Sequence, residues 1–175
     1  GLELNFFATP RDFDVAGSAV EEEQLSTVRE VRSAVKIPVC IKLSVFYSNP
    51  LNFIARLDKE GAAGLVLFNR FFQPDINTDT ESITQPFNFS IQADNRLPLR
   101  FAGLLHGKIK ADVCASTGIM TGADVVKMIL AGAAAVQVFT GLYRQGVKSI
   151  RSMLDEVSRW MDARSYGSID AFRGK

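Results

Sequence analysis

The chain has 175 residues, 47% of them hydrophobic, and its formal net charge at pH 7 is +1. This length and apolar content suffice for one domain with a good core, and the balanced charge offers no basic face for nucleic acid or anionic membranes. No apolar run approaches the roughly 18 residues of a membrane span. With one histidine and no CxxC or HxxxH spacing, a protein metal site is not expected.

Strand-like apolar runs alternate with amphipathic, helix-like segments along the whole chain. The predicted strands are residues 2–7, 39–43, 64–68, 113–115 and 134–139. The predicted helices are residues 21–35, 50–60, 97–107, a segment opened by Thr121, and residues 147–161. Five strands that alternate with helices indicate an α/β fold with a parallel sheet.

The chain is too short for a complete (β/α)8 barrel, which takes about 250 residues and eight strands. Five strands would leave an open edge on a buried, apolar sheet, which is an aggregation hazard. The chain is therefore either the C-terminal portion of a TIM-type barrel or a smaller open sheet. A strand that begins at residue 2 without a lead-in favours a truncated product.

The two cysteines, Cys40 and Cys114, both lie inside apolar strand-like runs. We expect buried free thiols rather than a disulfide, which fits a reducing cytoplasm. The segment 70–95 is the longest irregular stretch, and a loop of this length in an α/β unit is usually functional.

Two apolar runs in the C-terminal half each end in a short loop of small residues. These loops are Ser116-Thr117-Gly118 and Thr140-Gly141. Thr121 and Asp124 have the spacing of a capping box for the helix between the loops, and Gly132 is placed to cap its end. Neighbouring loops of this kind present clustered backbone N–H groups to a phosphate, although both glycines could serve only tight turns.

Polar side chains at the carboxyl ends of the strands matter most, because the active site of a TIM-type barrel lies there. Lys42 lies within an apolar strand and needs a partner, either an anionic cofactor or substrate or an ion pair inside the barrel. Asn5 and Asn69 could hydrogen-bond a planar heterocycle or only cap strand ends. Arg70 could bind a carboxylate or phosphate through its planar fork, or be a solvated loop arginine.

Several motifs together resemble the dihydroorotate dehydrogenases, flavin enzymes of the (β/α)8 class. The resemblance covers essentially the whole chain and corresponds to the family barrel from its fourth strand onward, about strands 4 to 8. The motifs are Asn5, Lys42, Asn69, Thr117-Gly118-Ile119-x-Thr121-Gly122, Ala131-Gly132-Ala133, Val136-Gln137-Val138-x-Thr140 and the tail from Ser165 to Lys175. Residues 1–175 would then form one partial flavin-binding barrel domain that lacks the N-terminal strands.

The resemblance implies FMN as the cofactor and a small anionic heterocycle as the substrate. Lys42 would contact the polar edge of the flavin, where a cation stabilises the negative charge of the reduced ring. The other implied cofactor contacts are Thr117, Gly118, Thr140 and Gly141. The implied substrate contacts are Asn5, Asn69 and Arg70, and the loop around Phe87 to Ser90 would lie near the site.

The chain departs from the family pattern at informative positions. Ala8 stands where the family commonly has the Cys or Ser base that deprotonates dihydroorotate, so no catalytic residue is assigned. Arg70 stands where a small hydroxyl residue usually follows the Asn, which suggests a different and more acidic ligand. Thr117 replaces the first of two glycines. The sequence is closest to a divergent dihydroorotate dehydrogenase-like branch.

The resemblance also implies a cytoplasmic protein of pyrimidine biosynthesis, either a homodimer or associated with the missing N-terminal part of the barrel. One alternative is a non-redox, phosphate-binding barrel, which needs a strand-end acid–base pair. Glu3 is the only acid within the predicted strands, and we expect it to point away from the pocket. The other alternative is an inactive fragment that only self-associates through its sheet edges.

Overall fold

The computed structural model of the protein describes residues 1–7, 12–70 and 73–175. The strands are β1 (Leu2–Asn5), β2 (Val39–Leu43), β3 (Gly64–Leu67), β4 (Asp75–Asn77), β5 (Ser82–Thr84), β6 (Asp112–Ser116) and β7 (Ala135–Gln137). The helices are α1 (Gly17–Ala34), α2 (Pro50–Lys59), α3 (Arg96–Leu105), α4 (Gly122–Leu130), α5 (Thr140–Gln145) and α6 (Ser149–Asp162).

Five of the strands form one parallel sheet in the order β1-β2-β3-β6-β7, which confirms the predicted α/β architecture. Alternate residues point to opposite faces of a strand. One face carries Ile41, Leu43, Leu65 and Leu67, which are buried under the helices. The opposite, inner face carries the polar residues of the sheet. Among the described residues, nothing pairs with the outer edge of β1 or of β7.

Local signals in the sequence set the ends of two helices as predicted. Asn49 caps α2, accepting a hydrogen bond of 3.2 Å from the Asn52 N–H, and Pro50 occupies the first turn. Thr121 and Asp124 form the predicted capping box at the start of α4. Gly132 follows the end of α4 with φ +109°, a conformation that costs a glycine little.

The segment 70–95 is more regular than predicted. It contains the antiparallel hairpin β4–β5, in which Ile76 lies opposite Ile83, and a single 3-10 turn over Gln92–Asn95. The Asn77 side chain closes the hairpin, accepting hydrogen bonds from the N–H groups of Asp79 and Thr80 at 2.9 and 3.0 Å. The prediction was wrong here because each strand is only three residues long with one apolar residue.

The structure corrects two further predictions about local structure. Thr140 and Gly141 begin the short helix α5 rather than forming a loop, so β7 ends earlier than predicted. Cys40 and Cys114 are free thiols, as predicted, but they are half-buried because both lie on the inner face. They lie on β2 and β6, with β3 between them. No helix in the described part of the chain is long and apolar enough to cross a membrane.

Candidate functional site

A cavity of about 150 Å³ lies at the carboxyl end of the parallel sheet. It is lined by side chains or backbone from the ends of β2, β3, β6 and β7. Six of the residues predicted for the site line it: Lys42, Asn69, Arg70, Thr117, Gly118 and Thr140. The other six lining residues, for which no individual role was predicted, are Phe68, Ser90, Ser116, Ile119, Gln137 and Phe139. The resemblance did place the loop that ends at Ser90 near the site, and its motifs include Ile119 and Gln137.

Lys42 has partners from within the protein. Its ammonium donates a hydrogen bond of 3.0 Å to Gln137 Oε1 and lies 4.0 Å from Glu3 Oε1. Gln137 Nε2 in turn donates to Glu3 Oε2 at 2.6 Å. An ion pair inside the barrel, one of the two predicted alternatives, is therefore present. The ammonium still lines the cavity and keeps donors for a further acceptor.

The prediction that Glu3 points away from the pocket was wrong. Glu3 and Asn5 are two residues apart on β1 and therefore share a face, and Asn5 lies opposite Lys42 in the neighbouring strand. Glu3 thus joins Lys42 on the inner face of the sheet. It lies near the amino end of β1, so it is deeper in the sheet than the strand ends that line the cavity.

Asn5 and Asn69 meet directly, with Asn69 Nδ2 donating to Asn5 Oδ1. The Asn69 N–H also donates to the Leu43 carbonyl at 2.7 Å, which fixes Asn69 at the end of β3. Asn69 lines the cavity, and Asn5 supports it from outside. The amide pair leaves one acceptor and further N–H donors free, which is the pattern that recognises a planar heterocycle.

Arg70 is held in place rather than being a free loop arginine. Its guanidinium forms an ion pair with Asp94 and donates to Asn88 Oδ1 at 2.9 Å. Arg70 Nε is buried and has no hydrogen-bond partner among the described residues. These contacts tie the end of β3 to the loop that precedes α3.

The corner after β6 has a backbone that few residues adopt. Thr117 and Gly118 have φ angles of +86° and +74°, and the Thr117 hydroxyl donates to the Phe68 carbonyl at 2.9 Å. Such a conformation is rare for a β-branched residue and is found most often at functional sites. A Cβ on Gly118 would lie 2.5 Å from the Asn95 backbone nitrogen, so only glycine fits there.

The Thr117–Gly118 corner and the start of α5 at Thr140–Gly141 lie against each other. A Cβ built on Gly141 would be 3.2 Å from the Ile119 carbonyl oxygen and 3.0 Å from Val138 Cγ1. Gly141 is therefore a packing contact between the corners and does not line the cavity, unlike Thr140 beside it. Within the described ranges, no acceptor is bonded to the backbone N–H of Thr117 or Gly118. Those donors are available to an anion.

Two buried polar clusters position the Thr117–Gly118 corner and the start of α5. Asp124 is fully buried and accepts hydrogen bonds from the Gln92 and Asn95 side chains and from the Met120 and Thr121 N–H groups. Burial alone would raise the pKa of the Asp124 carboxyl, but these hydrogen bonds outweigh burial and hold the pKa below its usual range. The rigid turn before α4 follows from this network.

The second cluster joins two hydroxyl groups. Ser90 Oγ and Thr140 Oγ1 are 2.9 Å apart and buried, and the Ser90 N–H donates to Thr140 Oγ1 at 3.3 Å. This pair binds the loop before α3 to the start of α5. The resemblance placed the loop from Phe87 to Ser90 near the site, but no local pattern indicates the contact of Ser90 with Thr140, because the two residues are 50 positions apart. Gln137 is part of the motif Val136-Gln137-Val138-x-Thr140 and is the one polar residue in the last apolar run, but no role was predicted for it.

The phenylalanines of the long loop lie beside the site, as the resemblance implied. Phe87 and Phe89 form an aromatic cluster with Phe139 and Tyr143, with ring centroids 4.6 to 6.5 Å apart. Phe87 is 74% exposed. The position of the family base, Ala8, lies outside the described residues.

Comparisons with known proteins agree on one family. The family model described as "Dihydroorotate dehydrogenase" matches residues 13–161. The catalytic subunit of dihydroorotate dehydrogenase B (NAD(+)) from Thermoplasma acidophilum is 28% identical over 148 residues, which are 84% of this chain and 49% of that protein. Dihydroorotate dehydrogenase (fumarate) from Lachancea kluyveri is 43% identical over 58 residues, 33% of this chain and 18% of that protein.

Solved structures show the same fold. A ligand-free DHODH from Eimeria tenella superposes with a TM-score of 0.69 at 18% identity, covering 88% of this chain and 49% of that one. A complex of DHODH with ferulenol from the same organism gives 0.63 at 22% identity, covering 78% and 37%. The fold is thus part of a TIM-type barrel, and the chain spans about half the length of the curated relatives it matches. The chain belongs to the dihydroorotate dehydrogenase family.

Proposed function

We propose that this chain is the C-terminal part of an FMN-dependent oxidoreductase that oxidises dihydroorotate or a related small acid at a CH–CH bond. The observation that carries the proposal is that the Lys42 ammonium and the Thr117–Gly118 corner face one cavity. When bound, FMN would supply the acceptor for the hydride.

The residues that line the cavity fit one end of FMN. The free N–H groups of Thr117 and Gly118 are suited to a phosphate, and Thr140, at the start of α5, lines the same cavity. Lys42 presents a positive charge that would stabilise negative charge on the polar edge of the ring. The volume of about 150 Å³ is below the roughly 300 Å³ of a typical ligand site, so other parts of the protein would complete it.

Asn69, supported by Asn5, would bind the polar edge of the substrate heterocycle. Ala8 has no proton acceptor where the family commonly has its base. A different group must then remove the proton, which favours a related CH–CH dehydrogenation over dihydroorotate oxidation itself. Adding dihydroorotate to the flavin-loaded protein tests which of the two reactions the protein catalyses. Loss of the flavin absorbance would indicate dihydroorotate oxidation, and an unchanged absorbance would favour a related substrate.

Cofactor binding is tested by equilibrium dialysis of the purified protein against FMN. We expect Lys42→Met to weaken FMN binding about tenfold, since it removes a charge-assisted contact. Lys36→Met is the matched control, because Lys36 is exposed in the loop at the amino end of β2, opposite the site. Equal binding by both variants, or no FMN binding by any form of the protein, would rule out the proposal.

The outer edges of β1 and β7, which pair with nothing in the part of the chain that the structure describes, favour association with the missing strands of a barrel or with a second copy of the chain. Comparing the 175-residue chain with a longer chain that includes the preceding strands separates these alternatives. We expect the longer chain to take up more FMN and to form smaller assemblies. If the 175-residue chain self-associates and neither it nor the longer chain takes up FMN, the result would instead support the alternative of an inactive fragment.

The non-redox alternative needs an acid–base pair at the strand ends, and the structure meets this requirement only in part. Glu3 and Lys42 form an acid–base pair on the inner face, which the sequence did not predict. The pair is bridged by Gln137 and lies below the strand ends, where a phosphate ligand would be held. A colourless protein that binds inorganic phosphate at Thr117–Gly118 and Thr140–Gly141, and that does not bind FMN, would support this alternative.

A further inference from the structure

A second and larger cavity, of about 520 Å³, adjoins the candidate site. The two cavities share part of their walls, namely Phe68, Asn69, Arg70 and Thr117. A molecule that lies over the Thr117 corner can therefore extend into the second cavity without leaving the protein surface. We call the second cavity the arginine chamber, because Arg70 and Arg96 both line it.

The charges of the arginine chamber do not cancel. Asp94 pairs with Arg70, but Arg96 forms no ion pair with any residue in the described part of the chain. Arg96 is exposed at the first turn of α3, where the helix dipole also favours an anion. One positive charge is thus left over, and it lies in a concave site rather than on an open surface.

The chamber also holds unused hydrogen-bond donors. Asn88 Nδ2 donates to Gln73 Oε1 at 2.8 Å, and the amide nitrogen of Gln73 has no acceptor among the described residues. The Nε of Arg70 also has no partner among the described residues, but it is buried away from solvent. Donors that surround a net positive charge are suited to a carboxylate or a phosphate.

We propose that the arginine chamber binds a second acidic group of the substrate, a carboxylate or a phosphate, through Arg96 and Arg70. The substrate of the proposed oxidoreductase is then an elongated acid, with one end at Asn69 and the Thr117 corner and a charged end in the chamber. Asp94 competes with that charged end for Arg70. The position of the substrate end at Asn69 rests on the proposed function. The position of the second acidic group rests only on the residues that line the arginine chamber.

The test compares two acids of equal chain length by titration calorimetry, at an ionic strength of about 0.01 M, where screening is weak. Glutarate carries two carboxylates and pentanoate carries one. We expect the protein to bind glutarate more tightly, and Arg96→Gln to weaken glutarate binding about tenfold without changing pentanoate binding. Arg100→Gln, one turn further along α3 and outside the chamber, is the matched control and should change neither.

A second variant acts in the opposite direction. Asp94→Asn releases Arg70 while keeping an acceptor for the Ile91 N–H, so glutarate affinity should rise at least about threefold. Glutarate binding that is the same in Arg96→Gln and Arg100→Gln, or that does not rise in folded Asp94→Asn, overturns the proposal.

FMN binding by the same variants separates this proposal from the proposed function. FMN uptake with no effect of Arg96 on glutarate would overturn the chamber and leave the oxidoreductase standing. An Arg96-dependent preference for glutarate without FMN uptake would support the chamber and overturn the oxidoreductase.

Discussion

Glu3 on the first strand and Gln137 on the last are joined by a hydrogen bond of 2.6 Å, although they are 134 positions apart in the sequence. Four strand spacings of about 4.8 Å, roughly 19 Å in all, separate β1 from β7 along the sheet. Their side chains can touch only if the sheet curves around its inner face. The five strands therefore already have the curvature of a barrel wall, and Lys42 is held inside that curve.

Replacement of Gln137 tests this contact across the curved sheet. Gln137→Leu removes the acceptor for Lys42 and the donor for Glu3, so we expect unfolding free energy to fall by about 1–2 kcal/mol. Gln145→Leu, an exposed position at the end of α5, is the control and should change stability by less than about 0.5 kcal/mol. Urea unfolding followed by circular dichroism measures both. Equal effects of the two variants would mean that the sheet is flatter than described.

The Asp124 network predicts an acid-sensitive part of the stability. Asp124→Asn places an amide among donors that all need an acceptor, and should cost about 3 kcal/mol at pH 7. Because the folded pKa of Asp124 is lowered, the carboxylate stabilises the fold above the unfolded pKa of about 4, and this contribution is lost as pH falls through the folded value. Wild type and variant should therefore converge in stability below about pH 4.

A surface ion pair provides the control for Asp124. Asp155 pairs with Arg151 at 3.0 Å, with side chains 45% and 82% exposed, so Asp155→Asn should cost less than about 0.5 kcal/mol at any pH. If the difference in unfolding free energy between wild type and Asp124→Asn stayed constant from pH 7 to pH 3, it would contradict a lowered pKa for the Asp124 carboxyl in the folded protein.

Alanine substitutions at two glycines with similar backbone angles distinguish the cost of backbone strain from the cost of a steric clash. Gly118 and Gly107 have φ angles of +74° and +67°, but a Cβ would touch backbone only at Gly118. Gly107→Ala should cost about 1 kcal/mol for the left-handed conformation alone. Gly118→Ala should cost about 2–4 kcal/mol, because the added carbon meets the Asn95 nitrogen as well. Thermal unfolding of the two variants measures the difference, and equal costs would mean that the corner does not pack against residue 95.

The thiol of Cys114 should be unreactive at neutral pH. Burial, together with the negative charge of Glu3, raises the pKa of Cys114 to about 11. Alkylation by iodoacetamide, located by mass spectrometry, should keep accelerating above pH 9, whereas the urea-unfolded chain should level off near its ordinary pKa of about 8.5. Half-maximal labelling of the folded protein near pH 8.5 would place this side chain outside the half-buried inner face.

Local signals predicted most of the fold, and long-range contacts account for what was missed. The Thr121–Asp124 box and the Asn49-Pro50 start act within one turn, so the sequence predicts them directly. The hairpin at Ile76 and Ile83 was missed because its strands are too short to give a period. The orientation of Glu3 was available from its spacing to Asn5, and the prediction did not use it.

In the candidate site, too, local patterns predicted some residues and long-range contacts bring in the others. Lys42 lies one residue before the end of β2, and Asn69 and the Thr117–Gly118 corner follow strand ends, positions that the α/β pattern marks as important. Ser90 is brought to the site by a hydroxyl contact with Thr140 across 50 positions, which no local pattern indicates. The engagement of Arg70 by Asp94 and Asn88 likewise depends on how the long loop folds back.

A crystal structure of the protein grown with FMN is the most direct test of whether Lys42 and the Thr117–Gly118 corner bind the cofactor. We expect the FMN phosphate to lie within hydrogen-bonding distance of the Thr117 and Gly118 N–H groups, and the Lys42 ammonium to lie at the polar edge of the ring. Density for the flavin at any other surface, with Lys42 bonded only to Gln137 and Glu3, would contradict it.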